Sequence, residues 1–204
     1  MLHFGMEPAC NIELKARLTD LAAARKTAQR LATAYLGIQQ QTDTYFHCPQ
    51  GRLKLREIVD FGAQQQGAPE LATGPKHVSV QLISYDRTDQ VDAKESYYQL
   101  VEISDPERVR ELKSQMGIRA VVVKRREVYL YHNVRIHLDE VSKLGMFLEF
   151  EAVLGGDVDE AAGRAQVALL QDKFGLASAD LLEGSYVDLL LQKYNGRCQL
   201  VADN

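Results

Sequence analysis

The 204-residue chain has few cysteines, no long apolar run and no excess of positive charge. Its three cysteines are widely scattered without Cys-x-x-Cys spacing, which predicts reduced thiols and argues against a disulfide framework or a zinc site. No apolar run could span a bilayer as a helix, and the N-terminus lacks the basic-then-apolar pattern of a signal peptide. We therefore expect a cytoplasmic protein without a membrane partner.

The net charge of −4 argues against a nucleic-acid partner held by overall charge. The sequence has no Gly-x4-Gly-Lys-Ser/Thr loop, no Ser/His/Asp arrangement and no evident internal repeat. Because 46% of the residues are apolar, the chain can bury a sizeable core. Its length predicts a single domain over 1–204, with a core of about 9–193 and a mobile, Gly-, Pro- and Gln-rich loop at about 61–77.

The most informative stretch, residues 134–153, is typical of two strands joined by a short Gly-containing turn. Alternation places five polar side chains on one face of this hairpin: Arg135, His137 and Asp139 on the first strand, and Glu149 and Glu151 on the second. Carboxylates at this spacing repel one another unless a cation lies between them. The pattern therefore favours a divalent-metal site over an ordinary sheet.

The two histidines of this region, His132 and His137, fall on opposite faces, so we do not expect a histidine-based transition-metal site. His137 shares the face of Arg135 and Asp139, where contact with a phosphate is one possible role. We expect His137 instead to be a tunnel-wall residue whose ring makes a hydrogen bond.

Periodicity elsewhere predicts six further strands and four helices. The strands are expected at about 9–18, 38–48, 52–59, 78–87, 94–104 and 118–130. The helices are expected from Thr19 or Asp20 to about Tyr35 with Gly37 as the stop, from Pro106 to Gly117 behind a Ser104 or Asp105 cap, from Asp157 to about Phe174, and from about Ser185 to Lys193.

Eight strands with short connections suffice to close an antiparallel barrel. Several strands are charged on one face and apolar on the other, which fits a membrane barrel or a barrel whose outer face is covered by helices. The four amphipathic helices and the missing signal peptide favour the second. We predict an α+β fold, a closed eight-stranded antiparallel barrel with helices packed outside and a polar interior.

The strand faces assigned to this interior carry more bases than acids. For any single strand, a solvated sheet face is the simpler explanation, but such faces normally mix both signs with Thr, Ser and Gln. An enclosed basic surface requires a polyanion and the carboxylates require a divalent cation, so a triphosphate with Mg²⁺ or Mn²⁺ meets both needs. The acids are Glu13, Asp139, Glu149 and Glu151, and the bases are Lys15, Arg17, Lys54, Arg56, Arg87, Lys94, Lys124, Arg126 and Arg135.

Several segments of the chain match, in order, the motifs of a known protein family. Residues 11–15, Asn-Ile-Glu-Leu-Lys, stand where the CYTH proteins carry Glu-x-Glu-x-Lys, and further matching segments follow in order: 41–46, 51–57, 82–87, 123–126, and Asp139 with 148–151. The chain thus resembles the CYTH family, or triphosphate tunnel metalloenzymes, over roughly 9–190. It is closest in style to the class IV adenylyl cyclases.

The resemblance implies a tunnel that holds a triphosphate along its axis, and it implies roles for the charged residues. The expected metal ligands are Glu13, Glu149 and Glu151. The expected phosphate-binding residues are Lys15, Lys54, Arg56, Arg87, Lys94, Lys124, Arg126 and Arg135. The expected catalytic residues are Lys15, Arg126 and Asp139, the last of which would help with metal or proton handling.

One position departs from the family pattern. Asn11 replaces the first glutamate of the signature, so the site loses a negative charge and we expect weaker metal affinity, or one metal position instead of two. Three functions stay open: a cyclase that converts ATP to cyclic AMP and pyrophosphate, a triphosphatase that acts on tripolyphosphate, thiamine triphosphate or nucleoside triphosphates, and a non-catalytic polyphosphate-binding module. A homodimer is compatible with the sequence, which does not decide the oligomeric state.

Overall fold

A computed structural model describes residues 9–63, 74–87 and 91–202. Within these ranges the chain forms eight strands, four α-helices and one short 3₁₀ helix at Ser178–Asp180. The strands are β1 (Ala9–Leu18), β2 (Ala34–Phe46), β3 (Arg52–Gly62), β4 (His77–Arg87), β5 (Lys94–Glu102), β6 (Ile118–Tyr131), β7 (Val134–Val141) and β8 (Gly145–Val153). The helices are α1 (Leu21–Leu31), α2 (Pro106–Gln115), α3 (Glu160–Lys173) and α4 (Tyr186–Ala202).

The strands close into a barrel in the order β1-β5-β4-β3-β2-β6-β7-β8, and every neighbouring pair is antiparallel. The predicted fold class is therefore confirmed. Because successive side chains in a strand point to opposite faces, each strand contributes one set of residues to the tunnel and another to the outside.

The main apolar core lies outside the barrel, between the strands β1, β7 and β8 and the helices α1 and α3. Its buried members alternate with the tunnel residues along the strands: Ile12, Leu14 and Ala16, then Val134, Ile136 and Leu138, then Leu148, Phe150 and Ala152. Val167 and Leu170 of α3 and Ala24 and Ala28 of α1 cover them. The hairpin that carries the acidic residues is thus fixed from behind by close packing.

A second apolar cluster closes one end of the barrel around the start of α4. Tyr186 and Val187 of this helix pack with Phe147 of β8 and Tyr45 of β2. The Phe147 and Tyr186 ring centroids are 4.9 Å apart. The predicted start of the helix is confirmed to within one residue, but the helix continues beyond Lys193 to Ala202.

The first helix is shorter than its sequence pattern predicts. It ends at Leu31 because the chain from Ala34 onward pairs with β6, where Tyr35 lies opposite Tyr129. Gly37 is part of β2 and not a helix stop. Its φ of +119° and its approach to Gly62, where a Cβ would lie 2.0 Å from the carbonyl carbon, explain why only glycine fits there.

The starts of α2 and α3 lie at or near their predicted positions. Asp105 caps α2 ahead of Pro106, and α3 begins at Glu160 behind the cap Asp159, three residues later than expected. Of the loop predicted at about 61–77, residues 64–73 lie outside the described residues, while its two ends belong to β3 and β4. None of the described helices is long and apolar enough to cross a membrane.

Candidate functional site

The registers of β1, β8 and β7 arrange the charged residues in rows across one tunnel wall. One row is Glu13, Glu151 and Arg135; the next is Lys15, Glu149 and His137; the third is Arg17, Phe147 and Asp139. Contrary to its predicted interior position, Arg17 is exposed and is not among the described residues that line the cavity. Alternation assigns each residue to a face, and the registers show which residues of that face are neighbours.

Glu149 is the centre of the acidic wall. It is 6% exposed and accepts hydrogen bonds from Lys15 Nζ at 2.5 Å and from Arg126 Nη2 at 2.6 Å. Burial opposes its ionisation, but the charges of Lys15 and Arg126 outweigh burial and hold the pKa of Glu149 well below its usual value. The carboxylate is therefore ionised at neutral pH and links β1, β6 and β8.

Asp139 lies behind Arg126. Its two oxygens accept from Arg126 Nε and Nη2, both at 2.7 Å, and one of them also accepts from the Tyr186 hydroxyl at 2.7 Å. Although burial acts against ionisation, Arg126 lowers the pKa of Asp139 to about 2. Asp139 is fully buried, so water does not compete for these hydrogen bonds. The carboxylate therefore orients Arg126 and anchors the start of α4 through Tyr186.

The opposite, basic wall is built on Asp43, which our sequence analysis did not single out. Asp43 is 1% exposed and accepts two bonds from Arg56, at 2.7 and 2.8 Å. Lys124 Nζ and Lys54 Nζ lie 3.3 and 3.4 Å from its Oδ2. These three cations outweigh the effect of burial and hold the pKa of Asp43 well below its usual value. The signal for Asp43 was present in the sequence, since it shares a face with Gln41 and Tyr45 of β2.

The two lysines of this wall are easily deprotonated. Burial and the neighbouring charge of Arg126 lower the pKa of Lys124 to about 7. Burial and the charge of Arg56 lower the pKa of Lys54 to about 8. A bound anion would stabilise the protonated form of both.

Two carboxylates and one imidazole form a group suited to a metal ion. Ligand atoms of His137, Glu149 and Glu151 all lie within 4.8 Å of one another. His137 is 4% exposed, and its Nδ1 has no hydrogen-bond partner among the described residues. Burial, together with the charge of Arg126, lowers the pKa of His137, so the ring is neutral and one of its two nitrogens carries a lone pair.

Other predicted site residues surround this group. Glu13 and Arg135 line the same cavity, and Arg135 Nη1 lies 3.5 Å from Glu151 Oε2. Lys94 is 1% exposed and donates to the carbonyl of Glu183, and it is not among the described residues that line the cavity. Arg87 ends β4, and its side chain lies outside the described residues.

These walls enclose a cavity of about 330 Å³. Six cationic side chains line it: Lys15, Lys54, Arg56, Lys124, Arg126 and Arg135. The β4–β5 side is less polar, with Ile83 and Leu100 beside Tyr85 and Tyr98. Tyr186 from α4 also lines the cavity, and Lys15 Nζ lies 4.2 Å from its ring centroid. The start of α4 is a contribution that strand alternation could not predict.

The cavity residues fit the divalent ion expected from the sequence. Carboxylates, an imidazole nitrogen and an amide oxygen are ordinary ligands for such ions. Asn11 lines the cavity, is 3% exposed, and its Oδ1 has no partner among the described residues. Asn11 Oδ1 and His137 Nδ1 are thus both buried without a hydrogen-bond partner among the described residues.

The comparisons with known proteins agree with this geometry. The CYTH domain family matches residues 9–186. Among solved structures, the PH1012 protein of Pyrococcus horikoshii OT3 is 25% identical, with a TM-score of 0.67 and coverage of 88% of this chain and 98% of that chain. A candidate adenylate cyclase of Vibrio parahaemolyticus is 20% identical, with a TM-score of 0.63 and coverage of 88% and 97%.

A third solved structure is HpAC1 from Hippeastrum, a candidate adenylyl cyclase with a dominant triphosphatase activity. It is 12% identical, with a TM-score of 0.60 and coverage of 91% of this chain and 96% of that chain. The identities of the Vibrio and Hippeastrum proteins are low enough that they show a common fold alone. The chain matches no curated protein.

Proposed function

Because the chain belongs to the CYTH family, we propose that it is a divalent-metal-dependent enzyme that acts on a triphosphate, by a reaction of the adenylyl cyclase type. The observation that carries this proposal is the division of one cavity into a basic and an acidic wall. Six cationic side chains suit a polyphosphate, and the His137, Glu149 and Glu151 group suits the metal ion that accompanies it.

Buried acids hold several of the cations in place before any substrate arrives. Asp43 fixes Arg56 with two hydrogen bonds, and Asp139 fixes Arg126 in the same way. Charged donors that are already oriented need little reorganisation when charge develops in a transition state. This supports an enzyme over a non-catalytic polyphosphate-binding module.

The β4–β5 wall supports a substrate with an organic group. Tyr85 and Tyr98 are cross-strand neighbours that line the cavity, with Ile83 and Leu100 beside them. An aromatic and aliphatic surface suits a nucleobase better than it suits an inorganic tripolyphosphate. We therefore place ATP ahead of tripolyphosphate as the substrate.

In the cyclase reaction, the ribose 3′ hydroxyl loses its proton, its oxygen bonds to the α-phosphorus, and the bond from that phosphorus to the pyrophosphate breaks. Binding of the polyanion protonates Lys124, whose pKa is about 7 without ligand, so its Nζ adds to the charge that screens the phosphates and the 3′ proton passes to solvent water. Arg126, Lys15 and the other cavity cations stabilise the charge on the leaving pyrophosphate. The bound metal ion would supply Lewis-acid charge stabilisation on the phosphate oxygens.

A product assay tests this proposal. The purified chain is incubated with ATP and, separately, with tripolyphosphate, in Mg²⁺ or Mn²⁺, and the products are separated by chromatography. We expect cyclic AMP and pyrophosphate from ATP. Orthophosphate from either substrate would overturn the cyclase assignment in favour of a triphosphatase. No product, together with tight binding, would make the chain a binding module.

We also expect ATP binding to take up protons in mildly alkaline solution. At pH 8 Lys124 is mostly neutral and Lys54 is about half protonated, because their pKa values are about 7 and about 8. The polyanion raises both pKa values, so binding should take up about one proton or slightly more at pH 8, where ATP itself is ionised.

Calorimetric titration with metal-free ATP in two buffers of different ionisation enthalpy measures this uptake. The apparent binding enthalpy should differ between the buffers at pH 8, in the direction of proton uptake. Equal heats in both buffers at pH 8 would show that these lysines do not meet the phosphates.

A further inference from the structure

We propose that His137 Nδ1 is a ligand of the metal ion, and that this nitrogen makes the site prefer Mn²⁺ over Mg²⁺. The inference rests on the proposed function in one respect: the ion is taken to be the one that accompanies the triphosphate in the proposed reaction. It differs from the assignment expected from the sequence, in which three glutamates hold the ion and His137 has no role in metal binding.

The distances suit coordination and are too long for hydrogen bonding. His137 Nδ1 lies 3.8 Å from Glu149 Oε2 and 3.8 Å from Glu151 Oε1. Ligand atoms about 2.1 Å from one ion lie about 3.0 Å apart when adjacent in an octahedron and about 4.2 Å apart when opposite. A separation of 3.8 Å is within this span, so one ion can contact the imidazole and either carboxylate.

The unpartnered nitrogen is the independent sign of a ligand. A buried polar atom without a hydrogen bond is costly, and most such atoms in native proteins have a partner. His137 Nδ1 has none among the described residues, although the ring is 4% exposed and faces two carboxylates. A cation between the three side chains would satisfy the nitrogen and relieve the repulsion between Glu149 and Glu151.

The surrounding contacts leave room for this role. Glu149 Oε2 already accepts from Arg126 Nη2 at 2.6 Å, but a carboxylate oxygen has a second lone pair that can bind an ion. The outer packing fixes the position of His137, because its strand neighbours Ile136 and Leu138 are buried in the main core. The imidazole is therefore held in place by its strand and need not be drawn in by the ion.

The types of ligand atom at the site, nitrogen or oxygen, determine its preference for Mn²⁺ over Mg²⁺. Mg²⁺ favours oxygen ligands and retains water, whereas imidazole nitrogen suits transition-metal ions. In this chain the first signature position is Asn11, which supplies at most a neutral oxygen. Replacement of a charged oxygen ligand by nitrogen weakens Mg²⁺ binding more than Mn²⁺ binding.

Calorimetric titration of the metal-free chain with MnCl₂ and with MgCl₂, without any triphosphate, tests the inference. We expect Mn²⁺ to bind about tenfold more tightly than Mg²⁺ or better. In His137→Asn an amide oxygen can replace Nδ1, so the ratio of Mn²⁺ to Mg²⁺ affinity should fall about fivefold or more. The matched control is His132→Asn, since His132 is exposed in the β6–β7 turn with a φ of +52° that asparagine tolerates.

A second measurement needs no folded variant. Pulsed EPR of protein-bound Mn²⁺ detects the hyperfine coupling of a directly coordinated imidazole nitrogen, so the wild-type chain should show this coupling. An unchanged Mn²⁺ to Mg²⁺ ratio in His137→Asn, or bound Mn²⁺ without nitrogen coupling in the wild type, would overturn the inference.

The two proposals can fail separately. Nitrogen coupling to bound Mn²⁺ with no turnover of ATP or tripolyphosphate would contradict the proposed function and leave this ligand assignment standing. Turnover that prefers Mg²⁺, with no nitrogen coupling to bound Mn²⁺, would contradict the ligand assignment alone.

Discussion

Replacement of Glu149 by glutamine should reduce metal-dependent turnover by about 100-fold or more. The change removes a charge that balances Lys15 and Arg126 and that belongs to the proposed metal site. Glutamine fills nearly the same volume, and its amide oxygen can still accept from one of these cations, so the barrel should remain folded. Steady-state kinetics in Mn²⁺ and in Mg²⁺, with circular dichroism as the folding check, measure the effect.

Glu140→Gln is the matched control for this variant. Glu140 lies on the same hairpin, but it is exposed on the outer face of β7, where it pairs with Arg125 at 3.1 Å. Its substitution should leave turnover within about twofold of the wild type, because exposed ion pairs contribute little. Retained activity in Glu149→Gln, or an equal loss in Glu140→Gln, would contradict the acidic wall as the reaction site.

The largest effect on stability is expected for Asp43→Asn. This change leaves Arg56, Lys54 and Lys124 without the carboxylate that holds them together. Loss of one member of a buried ionic group costs about 3–5 kcal/mol, and urea denaturation should show a destabilisation of this size. Tripolyphosphate should then stabilise the variant more than it stabilises the wild type, because the ligand supplies the missing negative charge.

Glu57→Gln provides the comparison for Asp43→Asn. Glu57 is on β3 beside the basic wall but faces outward, where it binds the partly exposed Lys113 at 2.7 Å. Its free energy of unfolding should change by about 1 kcal/mol or less. If Asp43→Asn were as stable as the wild type, the basic wall would not depend on a buried counter-charge.

The barrel and most of its tunnel residues could be predicted because alternation is local. In β1 the sequence alone places Glu13 and Lys15 on one face and Leu14 on the other, and the structure agrees. The Asp105 cap and Pro106 at the start of α2 could likewise be predicted, because a helix cap depends only on residues next to one another in the sequence.

The features that could not be predicted from the sequence depend on which strands become neighbours in the barrel. The order β1-β5-β4-β3-β2-β6-β7-β8 brings Asp43 of β2 against Lys124 of β6, residues 81 positions apart. In the same way, Tyr186 enters the cavity through packing of α4 against the barrel end, and no strand period signals it. The prediction that the first helix reaches Tyr35 was wrong, because pairing of this segment with β6 overrides its helix propensity.

The position of His137 relative to the two glutamates could not be predicted for the same reason. On one strand it is a histidine between an arginine and an aspartate, and a hydrogen-bonded wall residue is the ordinary expectation. Only the pairing of β7 with β8 places it opposite Glu149 and beside Glu151, with its Nδ1 unpartnered among the described residues.

Calorimetric titration with tripolyphosphate, with and without saturating ATP, tests the central claim that the tunnel is a triphosphate site. We predict one tripolyphosphate per chain, competition with ATP for that site, and a large loss of affinity in Arg56→Gln. Affinity no greater than that for orthophosphate, or tripolyphosphate binding that saturating ATP leaves unchanged, would contradict it.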